Sequence, residues 1–206
     1  MYDRYGFGQL SGIEQGYESG GSVPDPMNGF GLNIQYANTA FGQGMSATPL
    51  QMAAALSSVI NGGTYYKPRL VEQMVNSDDT AVYKKPEVIR RNVVKPNVSK
   101  TIRSFMSYVV EKNYFIYSMH APRSAYQVGG KTGTAEIAKP GGGYYDDRFN
   151  GVFIGFVGGN RAQYVAVVRV NEPHIYGYAG ARAAAPIFGS LSEMLINNFG
   201  VTPKSN

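Results

Sequence analysis

The sequence predicts an α+β fold, and three observations carry that prediction: amphipathic helices in the first half, three successive strand-like segments in the second, and a helix that closes the chain. The strands are rich in β-branched and aromatic residues and are separated by glycine-rich turns, which implies an antiparallel sheet flanked by helices.

The elements follow in order. Residues 11–33 are rich in Gly, Ser and Pro and read as a long irregular surface segment. The first clear helix starts at Thr48: Thr48-Pro49-Leu50-Gln51 has the form of a capping box, with Pro at the first helical position. Met52, Leu56, Val59 and Ile60 form its apolar stripe, and Gly62-Gly63 ends it. Short extended pieces and loops are expected over 65–94. A second helix is expected over 97–112, with Ile102, Phe105, Met106, Val109 and Val110 on one face. Strands are expected over 126–138, 151–158 and 163–171, joined at Pro140-Gly141-Gly142-Gly143 and Gly158-Gly159-Asn160. A last helix over 183–199 turns Ile187, Phe188, Leu191, Leu195 and Phe199 inward.

Composition narrows the function. A chain of 206 residues with 43% hydrophobic and 16% charged residues can bury a core. Without cysteine there are no disulfides, thiolate metal sites or thiol nucleophile. The two histidines, His120 and His174, are far apart and fit no zinc spacing, so no metal and no cofactor is expected. The net charge of +5 comes from scattered Lys and Arg with short clusters at Lys84-Lys85 and Arg90-Arg91, which reads as a solvated basic surface and not as a nucleic-acid site. The N-terminus shows no signal peptide, and no apolar run reaches membrane-spanning length; an export element or anchor, if one is needed, is expected outside this sequence.

Three motifs compete for the chemistry. Gly130-Lys131-Thr132 resembles part of a phosphate-binding loop, but that motif needs Gly where Ala125 stands and a helix directly after the lysine. Gly42-Gln43-Gly44-Met45-Ser46-Ala47 fits a loose dinucleotide fingerprint without the preceding strand or the later acidic residue. Lys131-Thr132-Gly133-Thr134 remains, and it makes chemical sense on an edge strand beside a cleft. The Lys131 ammonium supplies positive potential for a substrate carboxylate, and the Thr132 and Thr134 hydroxyls can donate to it. Gly133 admits an acyl chain close to the backbone in the manner of an added strand, and the Thr134 N–H can face a developing oxyanion. Tyr144, Tyr145 and Arg148 are assigned to the loop after this strand, as a surface hairpin or a cleft wall; Asp146-Asp147 reads as a solvated acidic pair in a turn, and His174 has no identifiable partner.

Phe41-Gly42-Gln43-Gly44, Thr48-Pro49-Leu50-Gln51-Met52-Ala53-Ala54-Ala55, Asn61-Gly62-Gly63 and Gly129-Gly130-Lys131-Thr132-Gly133-Thr134-Ala135 stand in the order of class B penicillin-binding proteins. Tyr5-Gly6-Phe7-Gly8 and Ala184-Ala185-Pro186-Ile187-Phe188 extend the resemblance over nearly the whole chain. It implies a peptidoglycan D,D-transpeptidase acting by serine acyl transfer, with stem peptides as substrate and β-lactams as acylating inhibitors. Lys131, Thr132, Gly133 and Thr134 then form its substrate-binding strand, with Lys131 and Thr134 taking part in catalysis. It also implies a membrane-anchored parent on the extracytoplasmic face of the bacterial cytoplasmic membrane, with cell-wall synthase partners.

One departure stands out. The family's S-x-x-K and S-x-N elements are absent: no Ser has Lys three positions on or Asn two positions on. The expectation is therefore the C-terminal part of a single transpeptidase domain over 1–206, lacking the first strands and the nucleophile helix of a β-lactamase-like fold, and inactive alone. A carboxypeptidase or β-lactamase relative, or a nucleophile-less scaffold or β-lactam sensor, are the alternatives. A smaller departure is Asn113-Tyr114-Phe115-Ile116-Tyr117-Ser118-Met119-His120, where the family usually carries a Gly-Thr turn.

Overall fold

The computed structural model describes residues 2–25, 32–117, 125–175 and 177–205. His120 and the end of the unusual 113–120 segment lie outside them. The chain divides into two compact units, Met1–Lys95 and Pro96–Asn206.

The first unit holds a short 3-10 turn at Tyr2–Tyr5, α1 (Leu32–Ala40), α2 (Pro49–Ile60) and four short strands: β1 (Tyr65–Tyr66), β2 (Gln73–Val75), β3 (Ala81–Tyr83) and β4 (Val88–Arg90). These pair as two antiparallel ribbons, β1 with β4 and β2 with β3. The expected capping box is complete: the Thr48 side chain accepts from the Gln51 N–H, and Gln51 reaches back to the Thr48 N–H. Gln51 does more than cap. It is almost fully buried, and its Nε2 donates to the carbonyls of Gly6, Gln9 and Gly20 at 3.3, 2.8 and 2.7 Å. One amide thus ties three points of the 6–20 segment to α2. The inward face of α2 is Gln51, Ala55, Leu56, Ser58 and Ile60, with Met52 and Val59 half-buried. Helix α1 had no sequence signal: Leu32–Ala40 shows no clear apolar stripe.

The second unit is built on a three-stranded antiparallel sheet in the order β5 (Gln127–Ala138), β6 (Tyr144–Gly158) and β7 (Ala162–Asn171). Helix α3 (Pro96–Asn113) precedes the sheet. A π-helical turn at Gly180–Ala184 leads into α4 (Ala185–Asn198). The α+β expectation, an antiparallel sheet flanked by helices, holds.

The second strand starts seven residues earlier than the turn pattern suggested. The β5–β6 hairpin continues past a register shift to Ala138↔Tyr144, and Lys139 closes the turn by donating to the Gly143 carbonyl at 2.9 Å. Gly141, Gly142 and Gly143 take φ of 91, 113 and 76°, so three adjacent left-handed residues make a tight turn where a long loop was expected. Tyr144, Tyr145, Asp146 and Arg148 therefore lie on a strand and not on a loop or in a turn.

The core lies between the sheet and α4. Phe153 sits at its centre, edge-on to Tyr117 at 5.5 Å and tilted against Phe188 at 4.7 Å. Two helix faces differ from expectation. Ile187 and Phe199 are half-exposed; the inward side of α4 is Ala185, Phe188, Gly189, Ser192 and Ile196. On α3, Phe105 is 67% exposed while Ser99 and Val110 are buried. On both helices small residues share the inward face with a few large ones, Val110 on α3 and Phe188 and Ile196 on α4, while Phe105 and Ile187 point away from it. Helix α3 comes close to β5 at Gly129, where an added Cβ would lie 3.0 Å from the backbone N of Ser107 on α3.

Candidate functional site

Lys131-Thr132-Gly133-Thr134 lies in the middle of β5, in register with Ile154, Phe153, Val152 and Gly151 of β6. Among the described residues β5 pairs with β6 alone, so its other edge has no strand partner. Helix α3 covers the start of the strand, where Val128, Gly129 and Gly130 are buried; Lys131, Gly133 and Thr134 are exposed and Thr132 is half-exposed. The switch from buried to exposed at Lys131 is set by the glycine pair, because a Cβ at Gly130 would lie 2.2 Å from the Phe153 ring.

Strand alternation sends Thr132 and Thr134 to one face and Lys131 and Gly133 to the other. The Lys131 side chain turns back along the edge, and its Nζ donates to the Thr132 carbonyl at 2.8 Å and approaches Thr132 Oγ1 at 3.4 Å. An ammonium and a hydroxyl donor therefore meet at the open edge. At Gly133 the nearest heavy atom to an added Cβ is Val152 Cβ at 3.7 Å, so the protein itself does not require glycine there. Thr134 has a partner that the sequence did not reveal: the N–H of Gly180, at the start of the π-helical turn, donates to Thr134 Oγ1 at 3.3 Å. The only local sign of this contact is the run of small residues Ala179-Gly180-Ala181 ahead of α4.

Beyond the Thr134 end of the sheet lies an open hollow of about 510 Å³, walled by Arg148, Phe149, Glu172, His174 and Ala179 among others. Arg148 grips Glu172 through two hydrogen bonds of 2.7 Å and stacks 4.4 Å over the Tyr145 ring. The Arg148 guanidinium holds the Glu172 carboxyl below its usual range, and Glu172 in turn raises Arg148 above its own. His174, without a partner in the sequence reading, adds positive potential that also lowers Glu172. Asp146 lies 4.0 Å from Lys139. Among the described residues no group of acidic, His or Cys side chains could hold a metal ion.

The helix-flanked antiparallel sheet defines a class, the β-lactamase-like fold. The comparisons make it specific. The model of the penicillin-binding protein transpeptidase domain matches residues 1–193, and the chain belongs to that family. It is 34% identical over 207 residues to the stage V sporulation protein D of Bacillus subtilis, covering 98% of this chain and 30% of that protein. It is 32% identical over 211 residues to the penicillin-binding protein PbpB of Mycolicibacterium smegmatis, covering 98% and 32%. The crystal structure of apo penicillin-binding protein 3 from Mycobacterium tuberculosis superposes with a TM-score of 0.81 at 31% identity, covering 98% of this chain and 46% of that one. The chain thus spans about a third of the length of the curated relatives it matches.

Proposed function

We propose that residues 1–206 are the C-terminal part of a single peptidoglycan D,D-transpeptidase domain, and that β5 is its substrate-binding strand. The observation that carries this reading is the meeting of Lys131 Nζ and Thr132 Oγ1 at the unpaired edge of β5, in a chain of this family.

The chemistry follows from the donors. The terminal carboxylate of a stem peptide, or the carboxylate of a β-lactam, is held by the Lys131 ammonium and the Thr132 and Thr134 hydroxyls. The acyl segment lies along the edge as an added strand, passing close to the backbone at Gly133. The Thr134 N–H supplies one oxyanion donor. Acyl transfer also needs a serine with its general base, and no S-x-x-K stands in this sequence; the proposal assigns that pair to preceding residues of the same polypeptide. Two solved relatives, both penicillin-binding protein 3 of M. tuberculosis, are complexes with ampicillin and with aztreonam, which supports β-lactams as ligands here. On this reading the domain works outside the cytoplasm, on a membrane-anchored protein beside a glycan-polymerising partner.

The in-frame sequence upstream of the Met1 codon tests the proposal. An open frame carrying S-x-x-K and then S-x-N supports it; a stop codon and a start signal there favour the nucleophile-less scaffold or sensor.

A further inference from the structure

We infer that Gly180 is a positioning residue for the Thr134 hydroxyl, fixing which way its proton points toward a bound carboxylate. The inference rests on the transpeptidase reading of β5 and adds a residue from a different element, 46 positions away in sequence.

Three close approaches bring Gly180 to the strand. A Cβ at Gly180 would lie 2.3 Å from the Gly133 carbonyl oxygen and 3.0 Å from that of Val152. A Cβ at Gly151, the register partner of Thr134, would lie 2.4 Å from the Ala179 carbonyl oxygen. Gly180 has no left-handed φ, so its lack of a side chain is explained by this approach and not by backbone strain. The chain at 179–180 is pressed onto the Gly133–Thr134 backbone, and Gly180 is buried there.

The amide at the head of a helical segment has no partner within the helix. Here the Ala181 and Arg182 N–H groups donate to the Tyr178 carbonyl, and the Gly180 N–H donates to Thr134 Oγ1. A threonine hydroxyl has one proton and two lone pairs. With one lone pair occupied by Gly180, the proton must point away from the π-helical turn. Thr134 is exposed on its other side, where the strand edge is open. A donated N–H also polarises the hydroxyl and makes it the stronger donor. Thr134 is therefore held as a hydrogen-bond donor to an anion, whereas a free hydroxyl would rotate.

The test uses the protein as its own gene encodes it, and compares acylation by benzylpenicillin with acylation by its methyl ester, which lacks the carboxylate. Wild type should prefer the free acid. Gly180→Ala should lower the acid rate about 10-fold more than the ester rate, and Thr134→Val in the same background should add no further loss of preference. Thr134→Ser, which keeps the hydroxyl, should retain it. Equal loss toward acid and ester in Gly180→Ala, or full additivity with Thr134→Val, would overturn the inference while leaving the transpeptidase reading intact. No acylation of wild type would overturn the reading, and the inference with it. Should Gly180→Ala fail to fold, exchange of the Gly180 amide decides: its protection should fall about 10-fold in Thr134→Val and persist in Thr134→Ser. Unchanged protection in Thr134→Val would also overturn it.

Discussion

The Phe153 ring lies so close over Gly130 that a Cβ on that residue would sit 2.2 Å from ring carbon Cε1. Phe153 is fully buried between Tyr117 and Phe188 and cannot move aside. Gly130→Ala is therefore an overpacking change, expected to cost about 1–3 kcal/mol or more. Gly133→Ala, with its nearest neighbour at 3.7 Å, should leave the melting temperature close to wild type. Thermal unfolding of both variants checks this; equal melting temperatures would mean that the ring is free to shift.

Gln51 offers a second test, in the first unit. Its Nε2 serves three carbonyls of the 6–20 segment, so Gln51→Ala strands all three near a buried position. A loss on the order of 3 kcal/mol is expected, with the segment released. Limited proteolysis should cut within residues 6–25 in the variant before the rest of the unit unfolds. Thr48→Ala removes only the cap and should cost about 1 kcal/mol.

These two positions show what was legible in the sequence. The capping box was readable because Thr, Pro and Gln stand at fixed offsets within four residues. That the same Gln51 also holds Gly6, Gln9 and Gly20 was not readable, since those bonds span up to 45 positions. The strands were found from alternation and turn residues, but β6 began early because consecutive left-handed glycines close a tight turn where a loop was expected. Helix faces failed at Phe105, Ile187 and Phe199, because apolar periodicity weights bulk and passes over the small Ser99, Ala185, Gly189 and Ser192 that share the inward faces with Val110, Phe188 and Ile196. At the candidate site, Lys131 to Thr134 were legible as a local motif. Gly180 was not, because its contribution is a backbone N–H, which every residue type but proline possesses, brought close from 46 positions away.

Acid should loosen the first unit through Glu14. Lys84, with the Leu70 N–H at 2.9 Å, lowers its carboxyl from 4.5 to about 2. A carboxyl with a depressed folded-state pKa stabilises the fold fully above its unfolded value. That contribution is lost as pH falls from about 4.5 toward 2. Glu14→Gln should flatten the fall of melting temperature over this window and leave its course above pH 5 parallel to wild type; an unchanged acid slope would show that Glu14 is not linked to folding.

Strand β7, like β5, has one unpaired edge among the described residues, and Val152, Ile154, Val165 and Val167 are only half-buried on the sheet face opposite Phe153. Produced by itself, the 206-residue chain should self-associate at micromolar concentration. Light scattering after size exclusion checks this, and Val167→Lys should reduce it. A monodisperse monomer with a single cooperative transition would count against an incomplete domain.

The most direct measurement is peptide mapping by mass spectrometry after benzylpenicillin treatment of the protein as encoded at its own locus. The expected result is one acylated serine, outside residues 1–206 and followed three positions later by lysine, with labelling slowed about 10-fold or more by Thr132→Val. No acylation, or acylation of a serine within residues 1–206, would contradict the assignment of β5 as the substrate strand of a transpeptidase.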